Sequence, residues 1–256
     1  VSTRPRFYLP TASPAHRTLA LPPEEAHHLR HVLRLMPGDD VRVFDGRGRE
    51  WDARVESVGR EAVWIALDAE IASAAEPPAR LTLALAMLKS EYMDAAVRDA
   101  AMVGVASLQP LLTVRTAVRA DDAAGRRLVA RWERIARAAV KQCGRAVVPD
   151  VQPPARLAPW LTGQRETPSL KLVLVEPSRA SGAPAEPRAW LARAQAHGGL
   201  VLVGPEGGWT DDELEQARAA GFLPWTISRR ILRADAVPVA ALSVLFYVWE
   251  YDGPTG

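Results

Sequence analysis

Val41 and Val43, then Trp51, Ala53 and Val55, then Val63, Ile65 and Leu67 alternate with polar neighbours. A period of two marks strands with one buried face, so three strands are predicted here. Asp45-Gly46-Arg47-Gly48 separates the first two and reads as a hairpin turn. Ahead of them, Pro22-Pro23 followed by Glu24 and Glu25 opens a helix predicted over Pro23–Leu35. Ala72-Ser73-Ala74-Ala75-Glu76-Pro77-Pro78-Ala79 has no periodicity and reads as a linker. Residues 1–71 are therefore predicted to form a small, mostly β domain, read as a barrel.

After the linker, residues 80–256 change rhythm. Leu81–Leu88, Leu108–Val114, Leu170–Val175 and Leu200–Val203 are near-continuous apolar runs, the pattern of strands covered on both faces. Helices are predicted between them, from Ser90 to about Val103, from Asp122 to Gln142 with a stop at Gly144, and over Asp211–Ala220 with a stop at Gly221. Pro224–Ile227 is short and extended. Asp235–Trp249 is a terminal helix, apolar nearly all round, so a homodimer is expected to cover the side that the sheet does not. Alternation of strands and helices predicts an α/β domain built on a mostly parallel sheet.

Composition narrows the class. The chain has 256 residues, 48% hydrophobic and 24% charged, with net charge +2, which excludes a disordered chain. No run of apolar residues is long enough for a membrane span. Val1–Pro10 carries Arg4 and Arg6 without an apolar core and is no signal peptide, so a cytoplasmic protein is expected. A single cysteine, Cys143, excludes an internal disulfide and a cysteine-rich metal site. It reads as a small buried residue rather than a nucleophile. His27, His28 and His31 lack the companions of a metal site, and no metal is expected. The basic residues are 29 Arg and 3 Lys, a skew that a GC-rich genome would also produce.

Two segments carry candidate chemistry. In Val203-Gly204-Pro205-Glu206-Gly207-Gly208-Trp209-Thr210, a buried strand ends in a glycine-rich loop, and Thr210 with Glu213 forms a capping box for the next helix. Ligands bind at the carboxyl ends of strands in open α/β sheets, and glycines there allow close backbone approach. It is neither a Walker loop nor a dinucleotide fingerprint. Ile227-Ser228-Arg229-Arg230-Ile231-Leu232-Arg233-Ala234-Asp235 packs three arginines into one loop, where Ile231 and Leu232 suggest folding against a pocket. Asp235 suits a helix N-cap. A third feature is a basic stripe, Arg127, Arg131, Arg134, Lys141 and Arg145 at helical spacing, which reads either as a phosphate-tracking face or as a solvated one.

With these residues in hand, the chain resembles the SPOUT-class methyltransferases, and more narrowly the bacterial 16S ribosomal RNA uridine-N3 methyltransferase family. The resemblance rests on Gly204–Gly208 followed by Arg230–Arg233. Lys141-Gln142-Cys143-Gly144-Arg145, His27–Arg34 and Pro37-Gly38-Asp39 agree with it. It implies an amino-terminal PUA-like RNA-binding barrel and a carboxyl-terminal domain with a deep trefoil knot, usually dimeric. It also implies S-adenosylmethionine as methyl donor, lying among three loops at Glu176-Pro177-Ser178, Gly204–Gly208 and Ile227–Ala234.

The donor contacts implied on this sequence are Glu176, Val203, Gly204, Glu206, Gly207, Gly208, Ile227, Ser228, Ile231 and Leu232. Arg230 and Arg233 are expected to stabilise negative charge on a uracil. Asp235 is expected to accept its proton or orient an arginine, unless it serves only as a cap. RNA, in the small subunit or the assembled 30S particle, is expected to meet Arg4 and Arg6 in the first domain and the stripe Arg127, Arg131, Arg134, Lys141 and Arg145. Residues 1–75 hold 10 Arg against 11 acidic residues and residues 80–256 hold 22 basic against 18 acidic, so salt-dependent affinity is assigned to the stripe. Three positions depart from the family pattern: Met102 where a carboxylate is usual, Ser228 where a glycine is usual, and Asp235 where a glutamate is usual. They leave open a second class of function, an inactive RNA-binding or ribosome-assembly protein that kept the fold.

Overall fold

The computed structural model describes residues 4–116, 122–164, 170–179 and 198–251. The ends of the two expected domain spans, residues 1–3 and 252–256, lie outside them. The chain divides into two compact units, Val1–Glu76 with Arg137–Val148, and Pro77–Ala136 with Pro149–Gly256.

In the first unit a five-stranded sheet has the order β1-β3-β4-β5-β2. Its strands are β1 (Arg6–Tyr8), β2 (Thr18–Ala20), β3 (Asp40–Phe44), β4 (Glu50–Val58) and β5 (Val63–Ile71). The alternation works as read: Val41, Val43, Trp51, Ala53, Val55, Val63 and Ile65 are buried together with Phe7, Leu9 and Leu29. Two register shifts bend β4 against β5. The strand pairing leaves β1 and β2 as edges, so among the described residues the expected barrel is a curled, open sheet. In the turn after β3, the Asp45 carboxylate accepts from the Arg47 and Arg49 amides at 2.7 and 3.1 Å. Gly46 has φ +79°, and a Cβ there would lie 2.6 Å from the Tyr8 ring.

The helix predicted over Pro23–Leu35 is two pieces, α1 (Pro23–His27) and a π-helical turn His28–Leu33. Arg34 closes the turn in the left-handed region, with φ 56°. Only Ala26 and Leu29 reach the core, while Val32 is left exposed.

The sequence reading ends this domain at 71, yet residues 137–148 belong to the same unit. They contain the last turns of α3 (Asp122–Cys143), a distant segment that no local pattern links to the sheet. Val148 donates to the Gly46 carbonyl at 2.9 Å and Gly48 to the Ala146 carbonyl at 3.1 Å. Arg6 accounts for the rest. Its Nε and Nη2 bond the buried Glu50 carboxylate at 2.8 and 3.2 Å. Its Nη1 donates to the carbonyls of Val140 and Lys141, and Nη2 to that of Arg145. These include carbonyls that the end of a helix leaves without partners. Arg6, partly buried, thus has structural work. Lys141 is held by Glu25 at 2.6 Å and lies over the Phe7 ring, and the buried Arg145 bonds Glu76 at 3.0 Å. Arg6, Lys141 and Arg145, expected to contact RNA, each have these partners within the protein.

The second unit is a seven-stranded sheet of order β12-β10-β11-β6-β7-β8, with β9 also paired to β7. The strands are β6 (Arg80–Ala86), β7 (Ser107–Leu112), β8 (Asp150–Val151), β9 (Ala155–Arg156), β10 (Leu170–Leu174), β11 (Gly198–Val203) and β12 (Leu223–Trp225). Every pairing is parallel. The chain steps outward from β6 through β7 to β8 and then returns on the other side of β6. There, β11 enters between β10 and β6, and β12 takes the far edge. The carboxyl ends of β10, β11 and β12 therefore share one side of the sheet. Around it lie α2 (Ser90–Val103), the first part of α3, α4 (Leu157–Gly163), α5 (Asp211–Ala219) and α6 (Ala236–Tyr251). Helix α6 packs on α2. It buries Ala241, Leu242, Leu245, Phe246 and Val248 but leaves Val244 and Tyr247 exposed. No helix among the described residues is long and apolar enough to cross a membrane.

Removing Arg6 would strand Glu50 as a buried, unpaired carboxylate. Arg6→Ala is expected to cost about 3–5 kcal/mol, read as a lowered urea midpoint of the full chain. A midpoint within error of wild type would show that the pair is not structural.

Candidate active site

Three loops leave the aligned ends of β10, β11 and β12 and enclose a cavity of about 800 Å³. That size suits a small-molecule ligand. Its walls contain every residue expected at the donor site: Glu176 from the β10 loop, Val203, Gly204, Glu206, Gly207 and Gly208 from the β11 loop, and Ile227, Ser228, Ile231 and Leu232 from the β12 loop. Arg230, Arg233 and Asp235 line it as well. The parallel register explains the convergence. Leu172–Leu174 pair with Leu223–Trp225, and Leu170–Val173 pair with Gly199–Leu202, so the loops start side by side.

The β11 loop is held from several directions. The buried Trp209 Nε1 donates to the Leu174 carbonyl at 3.0 Å, tying it to the end of β10. A Cβ on Gly204 would lie 2.9 Å from the Trp209 indole. The glycine is needed because the protein's own ring packs against the backbone, not only to admit a ligand. Arg115 donates to the Gly207 carbonyl at 2.7 Å and reaches that of Trp209. Arg179 donates to the same Trp209 carbonyl at 2.6 Å and pairs with Asp211. The Lys89 amide, at the N-cap of α2, donates to Glu206 at 3.1 Å.

The capping box forms as predicted. Glu213 donates its amide to Thr210 Oγ1 at 3.2 Å and accepts from the Thr210 amide at 2.9 Å. Its other oxygen accepts from the Val114 amide at 2.9 Å, which fixes the segment carrying Arg115.

In the β12 loop, Ser228 Oγ accepts from the Arg230 amide at 3.0 Å. Serine here closes a local turn, so its departure from the family's glycine is accommodated. Arg233 grips Asp235 with two bonds, Nε to Oδ1 at 3.0 Å and Nη2 to Oδ2 at 2.9 Å. The carboxylate's bond, and then its charge, raise the arginine's pKa. Asp235 does not cap α6. The amides of Ala236 and Val237 both donate to the Arg233 carbonyl, and the next residue, Pro238, has no N–H. The first turn has no donor left for a capping carboxylate.

Tyr92, Arg115, Arg179 and Trp209 line the cavity without having been singled out from the sequence. Trp209 directly followed the glycine loop and carried a signal. Arg179 directly follows the expected loop Glu176-Pro177-Ser178, whereas Tyr92 and Arg115 sit in segments far along the chain and only the fold brings them in. Met102 does not line the cavity; it lies on the exposed side of the last turn of α2, about 15 Å along the helix from Tyr92.

The remaining expected RNA contacts are dispersed. Arg4 pairs with Asp52 at 2.9 Å and Asp40 at 3.5 Å. Arg127 and Arg134 are exposed, and Arg131, half-exposed, is bonded to Asp94. Among the described residues no group of His, Cys, Asp and Glu is placed to hold a metal ion.

Comparisons with known proteins match both parts of the chain. The RNA methyltransferase domain family matches residues 75–246, and the RNA methyltransferase PUA domain family matches residues 21–68. The ribosomal RNA small subunit methyltransferase E of Synechocystis is 32% identical over 229 residues, covering 88% of this chain and 72% of that protein. Its counterpart in Mycobacterium bovis is 29% identical, covering 95% and 93%. The solved structure of the Neisseria gonorrhoeae ribosomal RNA small subunit methyltransferase E, bound to S-adenosyl methionine, superposes with a TM-score of 0.84 at 31% identity over 96% of this chain and 98% of that one.

Trp209→Phe keeps the ring but leaves the Leu174 carbonyl without its donor. The variant is expected to lose about 1–3 kcal/mol in urea unfolding. Wild-type stability would mean that this bond does not hold the loop.

Proposed function

The chain belongs to the ribosomal RNA small subunit methyltransferase E family, and we propose that it moves a methyl group from S-adenosylmethionine to N3 of a uridine in 16S ribosomal RNA. S-adenosylmethionine-dependent methylation of 16S ribosomal RNA is the activity of the family. The observation that carries the finer reading is the meeting of three strand-end loops on one cavity that holds two arginines, Arg230 and Arg233, beside the glycine loop.

The donor fits the residues present. Val203, Ile227 and Leu232 offer apolar walls, the backbone of Gly204 and Gly207 offers main-chain hydrogen bonds, and Glu176 offers an acceptor for hydroxyl or amino groups. When bound, S-adenosylmethionine supplies a methyl group activated by its positively charged sulfur and departs as S-adenosylhomocysteine.

The chain's own residues deal with the base. Neutral uridine carries a proton on N3 and is a poor nucleophile. That proton passes to solvent or to Asp235, and its loss spreads negative charge onto the two carbonyl oxygens. Arg230 and Arg233 donate hydrogen bonds to that charge as it develops, and the N3 electron pair then forms the bond to the methyl carbon. Asp235 has two roles open to it, proton acceptor or orienting group. Its bidentate grip on Arg233 favours the second.

Two further parts of the reading concern the assembly. The entry of β11 between β10 and β6 supports a knotted carboxyl-terminal unit. The exposed Val244 and Tyr247 on the otherwise apolar α6 support a homodimer through that helix. Light scattering at micromolar concentration is expected to return twice the chain mass. A monomeric mass overturns the dimer.

Small-subunit particles lacking the modification, incubated with the protein and donor, are expected to gain one methyl group on uridine N3 by nucleoside mass spectrometry. Methyl transfer to a carbon or a ribose oxygen would overturn the N3 assignment. Asp235→Asn is expected to slow transfer about tenfold or more, within the range that positioned charged groups contribute. A wild-type rate in that variant removes Asp235 from the mechanism.

A further inference from the structure

Arg233 is an exposed side chain that the protein nevertheless holds in one orientation. It is 68% exposed, and among the described residues two contacts define it. Asp235 takes one edge of the guanidinium through Nε and Nη2. The guanidinium carbon lies over the ring of Tyr92, 4.8 Å from its centroid. A guanidinium has five N–H donors in a planar fork. Asp235 uses two of them, so among the described residues three remain, the Nη1 pair and one on Nη2. They belong to a side chain that lines the cavity.

The two contacts fix different things. A carboxylate gripping one edge sets where the guanidinium lies, but the plane can still swing about that edge. An aromatic ring beside the guanidinium restricts the swing. The remaining donors then point in a fixed plane, as recognition of a flat base by its carbonyl oxygens requires.

Tyr92 is free for this task. It stands in the first turn of α2, whose core contacts are made by Met93, Ala96, Val97 and Ala100, all buried, whereas Tyr92 is half-buried at the cavity wall.

We propose that Tyr92 is a positioning residue for methyl transfer, acting through Arg233 by setting the plane in which the arginine's free edge meets the target base. The inference rests on the reading of Arg233 as the group that stabilises the base anion. The ring face does the work and the hydroxyl does not.

The test is a set of variants of the full chain, assayed for methyl transfer to unmodified small-subunit particles. Tyr92→Leu is expected to lower kcat about fivefold, the scale of an exposed cation–π contact. Donor affinity by calorimetry and the thermal midpoint are expected to stay at wild-type values. Tyr92→Phe, which keeps the ring, is expected to restore kcat. In an Arg233→Ala background, Tyr92→Leu is expected to cause no further loss, because the residue acts only through that arginine.

The proposal is overturned if Tyr92→Leu keeps the wild-type kcat, or if Tyr92→Phe is impaired as much as Tyr92→Leu. It is equally overturned if the two losses multiply in the double variant, or if donor affinity or the thermal midpoint falls along with kcat. Failure of the underlying reading looks different. If Arg233→Ala alone leaves kcat unchanged, the base-anion role falls first, whatever Tyr92 does.

Discussion

The indole N–H of Trp209, bonded to the carbonyl of Leu174, is the contact around which the cavity is organised. It joins the loop after β11 to the last residue of β10, and it does so in a buried setting where an unmade bond would cost about 1–3 kcal/mol. Its consequences spread outward. The ring must lie against the backbone at position 204, so that residue can have no side chain. With the ring in place, the carbonyl of residue 209 is presented to two arginines from separate loops, Arg115 and Arg179. The next residue, Thr210, starts the capping box, whose glutamate then fixes the segment bearing Arg115. One buried hydrogen bond thus closes a circuit through loops that are distant in the chain. The result is a binding wall made mainly of main chain, held from behind by side chains.

That circuit explains what could be read from the sequence and what could not. The strands of both units follow from period-two alternation and from apolar runs, because burial of one face or of two leaves that mark directly. The glycine loop and arginine loop were legible because each concentrates unusual residues within a few positions. Their meeting in one cavity follows from the parallel pairing of β10 with both β11 and β12. Tyr92 was not legible: a tyrosine in the first turn of a helix has no local signature of a partner at position 233. That residues 137–148 cluster with the first unit was not legible for a related reason. Their helical pattern continues smoothly from the residues before them, and nothing local marks that Arg6 collects the carbonyls at the helix end. The barrel reading is met by a curled sheet, since alternation fixes which face of a strand is buried and says nothing of whether the edges meet.

Charge in the sequence does not show which cations the protein itself engages. A stripe of basic residues at helical spacing looks uniform on a wheel, yet its members have different partners. Lys141 and Arg145 are bound to Glu25 and Glu76, and Arg131 to Asp94. The first unit treats Arg4, Arg42 and Arg54 similarly, pairing them with Asp40 and Asp52 across β3 and β4. Burial alone would push the Asp52 carboxyl up, but its bonds to Arg42 and Arg4 outweigh that and hold it below its ordinary value. Arginine suits such pairs because its planar fork meets a carboxylate on two atoms. A chain rich in arginine and poor in lysine therefore contains many cations already committed to its own carboxylates.

The departures from the family pattern are best weighed by where they fall. Met102 stands on the exposed side of α2, outside the cavity, so the missing carboxylate there removes nothing from the site. Ser228 makes a turn bond to the Arg230 amide, which serves the loop that carries the arginines. Asp235, one methylene shorter than glutamate, still spans to Arg233 with two bonds of ordinary length. Pro238 completes the argument. By withholding an N–H from the first turn of α6, it removes the alternative use of the Asp235 carboxylate as a cap and leaves the arginine as its partner. A binding protein that had lost its chemistry would have no need to keep a guanidinium oriented at the mouth of a ligand cavity. The three substitutions are therefore compatible with an active enzyme whose arginine is held in place by a shorter acid.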